Sequence, residues 1–299
     1  MLHIVIPAYN EELRLPRTLR ALRRYVTANR RHLGRVEVTV VDNASTDRTA
    51  DVARALASAA LPVRVVPCPV RGKGAAVRAG LLAATEGPVG PADLVCFMDA
   101  DGATDLDAFA GAVAQVRGGA DVVIGSRRLP TSDTEVRHCR TRSHGAACYR
   151  RLARRLLPDV ADTQCGFKLM RAGLARDVAQ RLVTRGFSFD VELLVRLRQT
   201  GARIVELPVS WVDVPGSTFV PLRHGARSFL DLAAIAWRTR AIAGTPLGGV
   251  EEVSPGRAAS RRSRNPMPLS TSAALPALLV ALIATHRVTS LDRTRGEAS

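Results

Sequence analysis

The sequence predicts an α/β fold with a mostly parallel sheet flanked by helices, and three observations carry that prediction. Residues 1–126 hold five short apolar runs rich in β-branched residues. Helix-length segments with apolar residues at three- and four-residue spacing separate the runs, the alternation expected of βαβ units with right-handed crossovers. Several runs end on a polar residue, among them Asp42, Asp99 and Ser126. Ligands of open parallel sheets lie beyond the carboxyl ends of the strands, so those ends are where chemistry is to be sought.

The elements follow in order. "HIVIPAY" is a strand, and the helix after it carries Leu15, Leu19, Leu22 and Val26, with Arg17, Arg20 and Arg24 between them. "VEVTVVD" (36–42) is the second strand. "STDRTADVARALAS" reads as a helix capped by Ser45 or Thr46,. "VRVVPC", "DLVCFMD" and "ADVVIGS" are strands, separated by the helices "GKGAAVRAGLLAAT" and "LDAFAGAVAQVR". From 127 to 243 the pattern loosens into a loop with a basic helix, a loop and strand at "DTQCGFKLM", and a loop running into a helix at "GFSFDVELLVRLRQTG". "ARIVELPVSWVDV" reads as a strand, and a long amphipathic helix ends near Gly244. Residues 244–272 are rich in Gly, Pro, Ser and Arg without periodicity and read as a disordered basic linker,. In the last segment, 273–299, the apolar run 273–285 falls short of the roughly 20 residues of a membrane span, and Pro276 interrupts it,.

Composition narrows the classes. The 299 residues contain 43 Lys+Arg against 27 Asp+Glu, a formal charge of +16, which draws the chain toward nucleic acid, a lipid phosphate surface or a phosphorylated substrate. Aromatic residues are only 4%, leaving little for base stacking. The five cysteines form no CxxC pair and read as free thiols of a reducing compartment,. No signal-peptide pattern precedes the first strand. His138, His144 and His224 have no partner spacing and take no catalytic role.

The chemistry concentrates in "VCFMDADGATD" (95–105). Asp99 and Asp101 at a strand end can hold Mg²⁺ or Mn²⁺, which would bridge to a diphosphate and neutralise it as it leaves; the same pair also suits capping of the next helix. "RGKGAAVRAG" offers glycine backbone and Lys73 to a phosphate, or simply a helix start at Gly72 and Gly74. It has neither the P-loop nor the dinucleotide spacing.

"IVIPAYNEELRLPRTL", "VVDNASTD", "RGKGAAVRAG" and "FMDADGATD", in this order, resemble family 2 glycosyltransferases, inverting nucleotide-sugar enzymes with the GT-A fold. "DADGATD", "GSR", "DTQCGFKLM", "FSFDVELL" and "VSWVDVPGSTF" narrow the likeness to the dolichyl-phosphate β-glucosyltransferase branch, whose members move glucose from UDP-glucose to a polyprenyl phosphate. The resemblance covers residues 1–243 and implies one domain, with a nucleotide-sugar half (1–126) and an acceptor half (127–243). It implies that Pro7, Tyr9, Glu11, Asp42 and Lys73 contact the donor and that Asp99 and Asp101 hold metal and diphosphate. Arg127, Arg140, Arg142, Ser217 and Arg223 would meet the acceptor phosphate, and Asp190 and Glu192 would lie near the sugar. Three departures stand out: Asn43 follows Asp42 where a second acid is usual, Thr218 replaces the usual Lys after Gly-Ser, and the membrane anchor of eukaryotic members is not seen.

A lipid phosphate is ionised at neutral pH and needs no general base, whereas a sugar hydroxyl would call on Asp190 or Glu192. Those two acids also suit a helix N-terminus. "YRRLARRLL", with Arg150, Arg151, Arg154 and Arg155, and the 222–243 helix, with Phe229, Leu232, Ala236 and Trp237 on one side, suit an anionic membrane surface or a core-facing packing,. The expected protein is thus a peripheral transferase at the cytoplasmic membrane face. The alternatives are the same chemistry on a soluble or glycan acceptor and, from another class, a basic nucleic-acid-binding protein. Strand-end carboxylates argue against the last, since they repel phosphate unless a metal intervenes.

Overall fold

The computed structural model describes residues 1–135, 140–212, 214, 221–240 and 251–252, all within one compact unit, Met1–Val253. The order is β1 (Leu2–Ala8), α1 (Leu15–Ala28), α2 (Arg30–Leu33), β2 (Val36–Asp42), α3 (Thr49–Ala55), β3 (Val63–Pro67), α4 (Lys73–Ala84), β4 (Leu94–Met98), α5 (Ala108–Arg117) and β5 (Val122–Ser126). There follow β6 (Thr134–Glu135), α6 (Arg140–Leu156), β7 (Phe167–Arg171), α7 (Ala172–Arg181), α8 (Phe189–Gln199), β8 (Ile204–Pro208), β9 (Trp211–Val212), α9 (Pro221–Arg240) and β10 (Glu251–Glu252).

The main sheet runs β3-β2-β1-β4-β7-β5-β8-β10. Its neighbours are parallel except at β7, which lies antiparallel to both β4 and β5. Met98 of β4 pairs with Phe167 of β7, so the start of β7 abuts the end of β4. The sequence places a strand in "DTQCGFKLM" but not its direction, which only the sheet reveals.

Side chains alternate across the strands. Ile4, Ile6, Val38 and Val40 pack with Leu19 and Leu22 of α1 and Phe109 of α5, while Val5, Val41, Phe97 and Ile124 face α4, α6, α7 and α8. Burial on both faces explains why the strands read as nearly continuous apolar runs. Phe109 meets Phe167 edge-on at 5.0 Å and Phe97 meets Phe189 at 5.7 Å.

Five elements differ from the sequence reading. α3 starts at Thr49, not beside Ser45 or Thr46, because the Asp47 carboxylate takes the Thr49 amide and hydroxyl while Ser45 and Thr46 are tied to Asn10. α7 follows β7 without a loop and was not anticipated. "ARIVELPVSWVDV" divides into β8 and β9, and β9 leaves the main sheet to pair with β6. In α9, Leu232, Ile235 and Ala236 are buried but Trp237 is 78% exposed, on a different face. β10 falls inside the stretch read as linker; the rest of 244–299 lies outside the described residues. Cys68, Cys96, Cys148 and Cys165 are free thiols, as expected. Among the described residues no helix is long and apolar enough to cross a membrane.

Candidate active site

The carboxyl end of β4 gathers charge. Asp99 follows the strand directly, and its amide donates to the Gly166 carbonyl at 3.0 Å, extending the β4–β7 ladder by one bond. A Cβ at Gly166 would collide with the Asp99 carboxylate, so glycine there is a requirement of close approach. The Asp101 carboxylate accepts the Ala103 amide at 3.0 Å, and buried Thr18 of α1 donates its hydroxyl to the Ala100 carbonyl at 2.7 Å. The turn is thus held by α1 and β7 together. It does not cap α5, which starts only at Ala108. Burial, then the neighbouring Asp99 charge, raises the Asp101 carboxyl above its ordinary value.

Lys73, the first residue of α4, places Nζ 2.6 Å from Asp99 Oδ1. Burial pulls its ammonium down, but Asp99 and Asp190 outweigh that and hold it above the usual lysine value. Asp190, buried in the first turn of α8, sits 2.5 Å from Nζ of Lys168, which is fully buried. Lys168 also donates to the Cys165 carbonyl at 2.8 Å and lies 5.0 Å from the Phe97 ring centroid. Burial pushes the Asp190 carboxyl up against the pull of both lysines. Charges therefore alternate inward from the lip: Asp99, Lys73, Asp190, Lys168. Each inner group needs its neighbour, because an unpaired buried charge costs several kcal/mol, roughly 3–5.

The glycines that flank Lys73 use their amides within the protein, so of the two sequence readings the helix start is the one the structure shows. The Gly72 amide donates to Asn43 Oδ1 at 2.8 Å and the Gly74 amide to the Arg185 carbonyl at 2.9 Å. A Cβ at Gly74 would strike the Thr184 carbonyl and Phe189, so Gly74 lets the first turn of α4 pack on that segment. Asn43 is a tie for the same loop: its Nδ2 donates to the Cys68 and Val70 carbonyls at 3.3 and 2.7 Å. An aspartate could not donate there, which accounts for the departure at Asn43.

The ends of β1 and β2 flank this row. Pro7 and Tyr9 are half-buried, and Arg71 lies over the Tyr9 ring at 5.6 Å. Asp42 accepts the Ser45 amide at 3.2 Å. Glu11 is buried and grips Arg14 through both carboxylate oxygens. Burial raises its carboxyl, Arg14 opposes, and Asp101 and Asp99 add to the rise, so Glu11 belongs to the same acidic neighbourhood.

Two residues expected at the site are engaged elsewhere. Arg127 forks onto Asp162, with Nε–Oδ2 at 2.7 Å and Nη2–Oδ1 at 3.0 Å, while its amide meets Oδ2 at 3.1 Å and its guanidinium lies 5.4 Å from the Trp211 ring centroid. Burial opposes that charge, but Asp162 outweighs it and holds the guanidinium above its ordinary value. Glu192 points away from Asp190, as residues two apart on a helix do. It accepts the Thr184 amide at 2.7 Å and the Arg196 guanidinium at 2.6 and 2.8 Å. Burial would raise its carboxyl, but these bonds win and hold it below the ordinary value. Glu192 is a loop anchor, not a group of the cleft. Arg140 and Arg142 lie on α6 and Arg223 on α9, and Ser217 and Thr218 lie outside the described residues.

Sequence reasoning missed Lys168, Gly166, Thr18 and Asp162. The signal for Lys168 was a lysine inside the apolar run "FKLM", which a buried strand does not accept without a partner. The other three depended on contacts between distant segments.

The strand order, with one reversed strand beside the acidic lip, defines the class as a GT-A-type glycosyltransferase fold. Glucosyl-3-phosphoglycerate synthase of Mycobacterium tuberculosis, solved in complex with Mn²⁺ and UDP-glucose, shares it at TM-score 0.55 and 20% identity, over 80% of this chain and 79% of that one. The pattern of glycosyl transferase family 2 matches residues 3–179, and the chain belongs to that family. It is 32% identical over 266 residues to the dolichyl-phosphate beta-glucosyltransferase of Drosophila melanogaster (81% of this chain, 78% of the relative) and 30% identical over 258 residues to that of Mus musculus (80% and 78%). Within the family it is thus a glycosyltransferase similar to the dolichyl-phosphate glucosyltransferase branch.

Proposed function

We propose that the chain is an inverting, divalent-metal-assisted hexosyltransferase that moves glucose from UDP-glucose to a polyprenyl phosphate at a membrane surface. The observation that carries this reading is the lip of β4, where Asp99 and Asp101 stand together with Lys73 2.6 Å from Asp99. The named activity of the relatives and the fold neighbour's UDP-glucose and Mn²⁺ support the donor, the acceptor class and the metal.

The residues fit such a metal. Among the described residues no three His, Cys, Asp or Glu side chains converge as ligands. Asp99 and Asp101 alone match a Mg²⁺ or Mn²⁺ site completed by substrate phosphates and water. Such an ion, when bound, neutralises charge on the departing diphosphate. The chain's own residues do the rest. Asp99 and Asp101 would hold the ion, Lys73 would approach the diphosphate, and Pro7, Tyr9 and Asp42 would border the nucleoside. Asp190, enclosed by Lys168, positions Lys73 and takes no proton, because an ionised acceptor phosphate needs no base.

An anionic acceptor is also supported by crowding of positive charge next to Arg127. Burial lowers Arg150, and the charges of Arg128, Arg154 and Arg127 lower it further, with Asp162 opposing. A phosphate would relieve that crowding. α6 packs on α9; α6 exposes Arg151, Arg154 and Arg155, and α9 exposes Leu230 and Trp237, residue types suited to the headgroup layer of an anionic membrane. A one-domain chain over 1–243, with a nucleotide-sugar half and an acceptor half, belongs to the same reading. The test supplies radiolabelled UDP-glucose and Mn²⁺ with and without polyprenyl phosphate and follows label into organic solvent. Lipid-dependent label is expected. Donor binding without lipid label would move the acceptor to a soluble or glycan hydroxyl.

A further inference from the structure

We propose that Lys73 is the resident counter-ion of the metal site: without donor it neutralises Asp99, and it must leave Asp99 before a divalent cation can bind there. This rests on the donor and metal reading above and adds a binding order to it. The structure narrows where a cation can enter. The Asp99 carboxylate packs toward Gly166 on one side, where not even a Cβ fits. On the other, Oδ1 is held by the Lys73 ammonium at 2.6 Å. A dication at that oxygen would stand at close range from a positive group in a partly screened site, where like charges repel strongly.

Lys73 has the means to give way. Its ammonium ends a flexible four-carbon stem, and the side chain as a whole is 22% exposed. The carboxylate behind it, Asp190, is already engaged by Lys168 at 2.5 Å, so a retreating Lys73 gains little there. A nucleoside diphosphate offers more: oxygens that complete the metal's coordination and negative charge that receives the displaced ammonium. Metal and nucleotide therefore bind as a coupled pair, each tightening the other by the same factor. The metal alone binds poorly because it competes with the chain's own cation.

The test measures free Mn²⁺ by electron paramagnetic resonance while the purified full chain is titrated, with and without UDP. Wild type is expected to bind Mn²⁺ weakly alone and more tightly with UDP. Lys73→Met should bind Mn²⁺ alone about tenfold tighter than wild type, with a correspondingly smaller gain from UDP. Lys73→Arg keeps the charge and should stay near wild type. So should Arg78→Met, which removes an exposed charge from the same helix. Thermal melting establishes that each variant is folded. An unchanged Mn²⁺ affinity in Lys73→Met, or an equal gain in Arg78→Met, overturns the counter-ion role and leaves the donor reading standing. No Mn²⁺ binding by wild type even with UDP overturns both.

Discussion

Two strand ends of the same sheet carry acid–base pairs and use them differently. Beyond β4, Asp99 meets Lys73 through a single contact, with side chains 31% and 22% exposed, and other carboxylates compete for the same lysine. Beyond β5, Arg127 meets Asp162 through a fork plus a backbone bond, and Asp162 is 3% exposed. Asp162 is itself fixed from behind, since its amide donates to buried Glu206 at 3.0 Å. A pair with one bond and open access can exchange partners with a ligand. A bidentate, desolvated pair of this kind is architecture. From sequence both look alike, a charged residue just past a strand.

Substitutions can break or sharpen that contrast. The largest effect is expected at the open pair: Asp99→Asn should lower turnover about a hundredfold or more with little change in melting temperature, read by initial rates beside calorimetry. At the closed pair the reverse is expected. Asp162→Ala should cost about 2–3 kcal/mol in urea unfolding, below the figure for a fully buried pair because Arg127 keeps some solvent access, and should leave UDP-dependent Mn²⁺ binding intact.

Glu192 gives a smaller effect with a defined pH course. Its folded carboxyl lies below its ordinary value because the Thr184 amide and Arg196 outweigh burial. Its stabilisation is then full above the unfolded value, about 4.3, and is lost as pH falls through the lower folded value. Glu192→Gln should be roughly 1–2 kcal/mol less stable at pH 7, with the gap closing below about pH 4 in urea titrations at stepped pH. The smallest effect belongs to Trp237, which is 78% exposed. Trp237→Ser should leave stability within about 0.5 kcal/mol and weaken co-sedimentation with anionic vesicles several-fold; unchanged co-sedimentation would remove α9 from the membrane surface.

Legibility followed locality. β2 was readable to the residue because Val36, Val38, Val40, Val41 and a terminal Asp42 lie in one seven-residue run, and the lip was visible because Asp99 and Asp101 are two apart in sequence. α7 escaped notice because "AGLARDVAQR" follows a strand with no loop signal between them. The partition of acids depended on distant contacts. Asp190 and Glu192 are two residues apart, yet one faces Lys168 and the other the 183–184 amides. Arg127 looked free until the fold brought Asp162, 35 residues away, against it. Asn43 read only as a departure from the usual second acid, and in the fold it is the amide that both donates and accepts for the loop before Lys73.

The most direct measurement pairs two variants in one assay. Turnover of UDP-glucose with polyprenyl phosphate and Mn²⁺ would be recorded for Asp101→Asn and Asp162→Ala, together with their melting temperatures. Asp101→Asn is predicted to abolish transfer while melting near wild type, and Asp162→Ala to melt early while its folded fraction still transfers. Full turnover in Asp101→Asn would contradict the assignment of the β4 lip as the site of chemistry.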